Sequence, residues 1–400
     1  MYDVLGGTRV IEIAEWLFVP CAGVVLADWG ADVVKIEHPR TGDPLRGLFN
    51  DVFSNNPYNT LLQISNRGKR SIGIDLAHHR GRALLDDLLA DADVLITSFT
   101  SEARTKLHIE PEEVLERHPR LVYGRGTGYG LQGPRADSGG YDMTSFWARA
   151  GVADRITPPG GEPPPMPGNI GDLSSGLALA GAICAALLRR ERTGQGGVVD
   201  VALYGIGTYL MSQTITAAPF GLAQRYRTTA DPHNPVANSY RTRDDRWITL
   251  ALLQSDKWWP ELCTVIGRDD MIRDPRFADH RARDEYCTEC VGELAATFGT
   301  RTYREWLEAL DGFSGPWGPV QTVPEVIEDP QALVNGFVTP VTVDEFTEYL
   351  TAATPGQFDG QPVGELGPAP EHGQQTEEIL LELGLDWDAI VDLKDAGAIL

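Results

Sequence analysis

Five short apolar runs recur through the first half of the chain, at residues 9–13, 32–37, 93–97, 120–125 and 198–203, and each predicts a strand. Between them the apolar positions fall into a helical period, at residues 19–29, 81–90 and 111–118. Pro111 opens the last of these, a position where the missing amide costs the helix nothing. Strands without alternation are buried on both faces, and strands that alternate with helices build a parallel sheet covered on both sides. The pattern therefore predicts a large α/β domain over residues 1–220.

The stretch PPGGEPPPMPGNIGD, residues 158–172, is too rich in Pro and Gly for anything but a loop. A long apolar helix is expected from 173 to about 192, then a TGQGG turn, the strand 198–203 and a further helix over 204–218. The pattern changes near Arg225. Residues 239–243 and 246–253 flank Asp244-Asp245 as a β-hairpin, Ser255 is placed to cap a helix, and amphipathic helices follow to about 310. Residues 225–325 read as a smaller α+β domain. The remainder, 330–400, holds a loop over 355–373 and helical segments at 377–383 and 387–393.

Length agrees with two domains, since 400 residues exceed what one core ordinarily serves. Charge narrows the partners. With 57 Asp and Glu against 34 Lys and Arg, the net charge is −23, which repels nucleic acid and anionic membranes. Any anionic ligand then needs a local basic patch. The five cysteines, Cys21, Cys184, Cys263, Cys287 and Cys290, are odd in number and scattered, so no disulfide framework is expected. Cys287 and Cys290 form a lone CxxC in a helical stretch, without the second ligand pair of a zinc site, and no metal is expected. The N-terminus lacks a basic segment followed by a long apolar run, and the most apolar stretch, 177–188, is too short to span a bilayer. These features predict a cytoplasmic protein.

The familiar catalytic motifs are missing: no Walker loop, HExxH, EF-hand loop or GxSxG elbow occurs. The run GRGTGYG at 124–130 follows a strand, but its spacing is not that of a dinucleotide fingerprint. Two clusters remain. Asp172, in NIGDLSSG, stands before the apolar helix. It can be read as an N-cap, or as a carboxylate held ionised by the helix dipole and able to attack an acyl carbon. Gly171 beside it would leave room for a bulky substrate. Arg67, Lys69 and Arg70, in NRGKRS, place three cations in four residues, as a phosphate-binding corner would. Lys35, His38, Arg40, Arg104 and Lys106 add charge near predicted strand ends, the edge where open α/β sheets bind ligands.

The motifs ADWGADVVKIEHPRTGD, NRGKRSIGIDL, ADVLITSF, GYGLQGP, GGYD, GDLSSG, RRERTGQGGVVDVALYG and PEHGQQTEEIL, in this order, resemble those of family III CoA-transferases. The resemblance implies a Rossmann-like parallel-sheet domain built from both ends of the chain, a smaller inserted domain and an interlocked homodimer. It implies coenzyme A as a co-substrate, with no tightly bound cofactor, and a carboxylic acid as the second substrate. It also makes Asp172 the nucleophile, forming an anhydride with the donor acyl group and then an enzyme-bound CoA thioester. His38, Ile72, Ser98, Phe99 and Lys106 fall on segments that line the family's nucleotide pocket. Ser98 stands where many members have Asn, and Leu17 where some have a polar residue beside the acyl group. The glycine-rich flap of the formyl-CoA branch is replaced by ALLQS at 251–255, which points away from formyl-CoA and oxalate.

Two alternatives stay open. α-Methylacyl-CoA racemases resemble this chain too, but carry His in a GHD motif where this chain has Gly140-Tyr141-Asp142. Tyrosine, with an ordinary pKa of about 10 against about 6.5 for histidine, is a poor base at neutral pH. The sequence thus favours transfer over proton exchange and leaves Tyr141 to shape the acyl pocket or contact CoA. A CoA-binding protein without turnover, in which Asp172 only caps its helix, is the other. Trp16, Phe18 and Phe146 are candidates for an apolar acyl pocket or for plain core.

Overall fold

A computed structural model describes residues 2–48, 59–221, 226–344 and 347–400; the change of pattern near Arg225 lies outside them. The chain forms two compact units, one of Met1–Thr157, Pro163–Ala223 and Asp329–Leu400, the other of Pro158–Glu162 and Gln224–Glu328.

In the first unit the elements run β1 (Arg9–Ile13), α1 (Phe18–Asp28), β2 (Asp32–Glu37), α2 (Thr60–Asn66), β3 (Arg70–Gly73), α3 (His79–Ala90) and β4 (Val94–Thr97). They continue with α4 (Ser101–Lys106), α5 (Pro111–Arg117), β5 (Val122–Thr127), α6 (Ile170–Thr193), β6 (Gly197–Ala202) and α7 (Leu203–Leu210). The six strands pair in parallel in the order 3-2-1-4-5-6, the doubly wound arrangement. Alternate residues of β1 divide between two cores. Val10 joins the face covered by α1 and α6, and Ile11 and Ile13 join the face covered by α3 and the chain's C-terminal helices, Thr376–Glu382 and Trp387–Asp395. The last residues are stitched to β3, with the Leu400 amide donating to Gly73 O at 3.1 Å.

Helix α1 is buried on every side, as its FVPCAGVVLAD sequence requires. Against it lies α6, and Gly176 is what lets them meet: a Cβ there would stand 2.8 Å from Cys21 Cβ and 2.9 Å from Phe18 O. The helix begins at Ile170, three residues earlier than its apolar pattern suggests, and ends at Gly194 in the left-handed conformation, φ 75°. At 24 residues it is long and apolar enough to cross a bilayer by length and composition, contrary to the expectation from 177–188. Half of that apolar stretch is buried within the protein, as in a core helix.

Two further differences from the sequence reading concern element bounds. The helix expected over 204–218 breaks at Met211 into Leu203–Leu210 and Ser212–Ala217. A two-stranded antiparallel ribbon, Val338–Asp344 with Thr347–Ala352, stands where the sequence reading assigned no element.

The second unit carries an antiparallel sheet of β7 (Ser239–Arg241), β8 (Trp247–Leu250) and β9 (Trp317–Pro319). Its hairpin turns at Asp245, φ 63°. Trp259, Phe298 and Trp306 fill its core together with Cys263 and Cys290, so the CxxC cysteines serve as helix residues, both free. No metal-ligating cluster occurs among the described residues.

Candidate active site

The C-terminal ends of β1, β4 and β5 open onto a cavity of about 770 Å³. Strand β1 delivers Glu15, Trp16 and Leu17 to it, β4 delivers Ser98 and Phe99, and β5 delivers Gly126 and Gly128. Tyr141 and Asp142 come from the loop before a π-helix, Met143–Ala148, and Asp172 from the first turn of α6. A second cavity of about 260 Å³ lies beside the first, lined by His38, Gly42 and Asp75 and sharing Glu15 and Phe99 with it.

Asp172 is the third helical residue of α6, not its cap; Asn169 precedes the helix and makes no side-chain capping bond. The Asp172 side chain is buried, and its carboxyl is not held ionised by the helix terminus as the sequence suggested. Burial, then the charge of Asp142, then a hydrogen bond with the Asp142 side chain push it up to about 8. Asp142, also buried, caps the π-helix by accepting from the Met143 amide at 2.7 Å. Burial raises Asp142 as well, opposed by the amides of Met143 and Asp172, so of the two carboxyls Asp172 is the one pushed furthest toward holding a proton.

Gly171 makes this pairing possible. A Cβ there would fall 2.6 Å from Asp142 Cβ and 2.9 Å from Phe146 Cγ, so its bare Cα serves the approach of Asp142 rather than of a substrate. Gly171→Ala is expected to cost about 1–3 kcal/mol and to reduce turnover by separating the carboxyls. Denaturant melts alongside steady-state rates check this, and an unaffected protein would remove Asp142 from the site.

The remaining sequence candidates separate into two groups. His38, Ser98 and Phe99 line the cavities, and Tyr141 stands at the rim with its ring edge-on to Trp16, centroids 5.6 Å apart. Arg40 is exposed beside His38, its amide donating to His38 Nδ1. Lys106 is exposed on α4 and paired with Glu102 at 2.6 Å. The expected phosphate corner gives way. Lys69 is fully buried against Glu12 at 2.7 Å, Arg67 against Asp28 at 2.8 Å, and Arg70 binds Asp32 at 2.6 Å and Glu382 at 2.8 Å. Ile72 is core in β3, without surface to offer. Lys69 and Arg70 tie the segment entering β3 to β1 and β2, Arg67 ties it to α1, and all three cations are matched by carboxylates of the protein itself. Asp142, which sequence reasoning passed over as a site residue, had a signal in GGYD: a capping-type residue one turn before the apolar positions Phe146 and Trp147.

A doubly wound sheet with a buried carboxyl pair in the cavity at its strand ends is the layout of an α/β enzyme acting on a small molecule. The chain belongs to CoA-transferase family III, whose sequence profile matches residues 5–376. It is an enzyme of the CoA-transferase class. At 32% identity, with 99% of each chain covered, it is similar to the (R)-2-hydroxy-4-methylpentanoate CoA-transferase of Clostridioides difficile. At 31% identity, covering 98% of this chain and 96% of the relative, it is similar to the cinnamoyl-CoA:phenyllactate CoA-transferase of Clostridium sporogenes. Among solved structures, a CAIB/BAIF family protein from Brucella suis superposes with a TM-score of 0.81 at 27% identity, over 96% of this chain and 100% of that one.

Proposed function

We propose that this enzyme moves CoA from an acyl-CoA donor to a carboxylic acid acceptor with Asp172 as the nucleophile. The observation that carries the reading is the buried Asp172 carboxyl facing a cavity large enough for a thioester. The ionised carboxylate attacks the donor's thioester carbon, giving a mixed anhydride and CoA thiolate. The thiolate then attacks the aspartyl carbonyl, releasing the donor acid and leaving CoA on Asp172. The acceptor carboxylate attacks that thioester, and the freed thiolate takes the acceptor's acyl group from the second anhydride, restoring Asp172. Each step exchanges one acyl bond for another, which divides a hard exchange into easier ones.

His38 and Phe99 fit the nucleotide end of CoA in the smaller cavity and Ser98 lines the larger one, with the thioester reaching Asp172 past the shared Glu15 and Phe99. A homodimer is part of the proposal. Leu173, Leu177 and Leu188 on α6 and Tyr209 and Leu210 on α7 are exposed apolar side chains that a second copy would cover.

Only ionised Asp172 attacks, so kcat/KM is expected to rise as pH passes through about 8. Asp142→Asn removes the neighbouring negative charge, and the rising limb should then move toward acid by about 1 pH unit or more. An unmoved limb would detach Asp142 from Asp172. The reaction itself is tested in D2O with a panel of acyl-CoA thioesters and free acids, read by mass spectrometry. CoA on a new acid without deuterium at Cα supports transfer; deuterium at Cα with CoA left in place makes the enzyme a racemase.

A further inference from the structure

Trp16 adopts φ 67°, a left-handed conformation that a bulky side chain enters only under strain. Its surroundings enforce this. The Trp16 amide points at Asp43 Oδ1 at 3.4 Å, and Asp43 is fixed in turn by Lys35 at 2.9 Å and, through its own amide, by Glu37 at 2.9 Å. Lys35 also donates to Ala14 O at 2.7 Å, so the segment leaving β1 is tied down on both sides of Glu15. The result is an indole on the wall of the Asp172 cavity, edge-on to Tyr141 and continuous with Leu17 and Phe18.

The polar part of the same cavity is acidic. Glu15, Glu112, Asp137 and Asp142 line it. Its two arginines are already bound: Arg104 to Glu110 at 3.0 Å and to Phe99 O at 2.6 Å, Arg125 to Asp200 at 2.7 Å. A substrate with a second carboxylate would bring that charge into a carboxylate-lined space, and no described cation on the wall lacks an anionic partner.

We propose that Trp16 is a specificity-determining residue that selects acyl groups with a bulky apolar body, aryl or branched, carried by a monocarboxylic acid, and that dicarboxylic acids are excluded. This rests on the reading of the cavity as the acyl-transfer site, but not on Asp172 being the nucleophile.

The test is binding, measured in the Asp172→Asn background and without an acceptor acid, so that no CoA is transferred. 3-Phenylpropanoyl-CoA is expected to bind roughly 100-fold more tightly than glutaryl-CoA, the difference between an apolar contact and a buried unpaired charge. Adding Trp16→Ala should weaken the phenylpropanoyl thioester by about 10-fold or more and leave glutaryl-CoA nearly unchanged. Trp16→Gly should lose the same affinity yet unfold at a higher temperature than Trp16→Ala, because glycine takes φ 67° without strain. Equal binding of the two thioesters, or an equal loss for both on Trp16→Ala, overturns the inference. Turnover of Asp172→Asn against wild type decides the nucleophile separately: transfer retained there would sink that assignment and leave the binding comparison intact.

Discussion

Asp172→Asn is expected to lower CoA transfer by on the order of 10⁴-fold or more, since an amide cannot form the anhydride. Binding of the acyl-CoA should survive, because the amide keeps the shape of the carboxyl and removes a charge. The same substitution should stabilise the fold, and the sign follows from linkage. Unfolded, the carboxyl titrates near 3.8; folded, it titrates near 8. Between those values the native state holds more protons than the unfolded one, so stability falls as pH rises through that window. The contribution is fully present below about 3.8 and lost above about 8. The asparagine variant, which has nothing to ionise, should match wild type near pH 4 and exceed it by roughly a few kcal/mol at pH 8.5. Thermal melts at the two pH values, run beside rate measurements, check both halves. Wild-type rates in the variant would end the nucleophile assignment, and a fold that loses stability at pH 8.5 would show that the Asp172–Asp142 pair is not strained.

The layers of the fold were legible because they depend on local chemistry. A run such as RVIEI has one way to be buried on both faces, and five such runs interleaved with helical periods define a parallel sheet. Asp172 was legible as a position and not as a state. Its place before an apolar helix is written in NIGDLSSG, whereas its raised affinity for a proton depends first on burial and then on Asp142, brought against it across Gly171. The cations of NRGKRS failed for a related reason. Their density along the chain suggested a phosphate site, but their partners lie far off in sequence: Glu12 is 57 residues from Lys69, Asp28 is 39 from Arg67 and Asp32 is 38 from Arg70. Charge along a chain carries no information about a carboxylate that the fold brings alongside from another element. A single glutamate inside the otherwise apolar first strand was the available hint, because a buried carboxylate requires a partner.

That glutamate carries the largest expected effect on stability. Glu12 lies wholly out of solvent in the central strand, and its Oε1 accepts from Lys35 Nζ at 3.0 Å and from Lys69 Nζ at 2.9 Å. Lys69 also donates to Ser65 O at 2.6 Å and Pro20 O at 2.9 Å, joining α1 and α2 to the sheet, and Lys35 reaches Asp43. Gly23 of α1 leaves the space: a Cβ there would fall 2.1 Å from Glu12 Oε2. Two ammoniums face two carboxylates, so the cluster is neutral only while all four are present. Burial already draws Lys69 down to about 8 with Glu12 opposing, which marks how costly its charge would be alone. Glu12→Gln should therefore destabilise the protein by about 3–5 kcal/mol, the effect of leaving a buried charge unmatched. The double variant Glu12→Gln/Lys69→Met restores neutrality and should recover about 2 kcal/mol of that loss, a coupling that denaturant unfolding of the four proteins measures. Additive losses would mean that the residues act through packing alone. Because Lys35 and Asp43 also fix the strained segment that carries Trp16, the Glu12 variant should lose discrimination between acyl groups before it loses the capacity for transfer. A variant that is destabilised yet fully selective would separate the buried cluster from the acyl pocket.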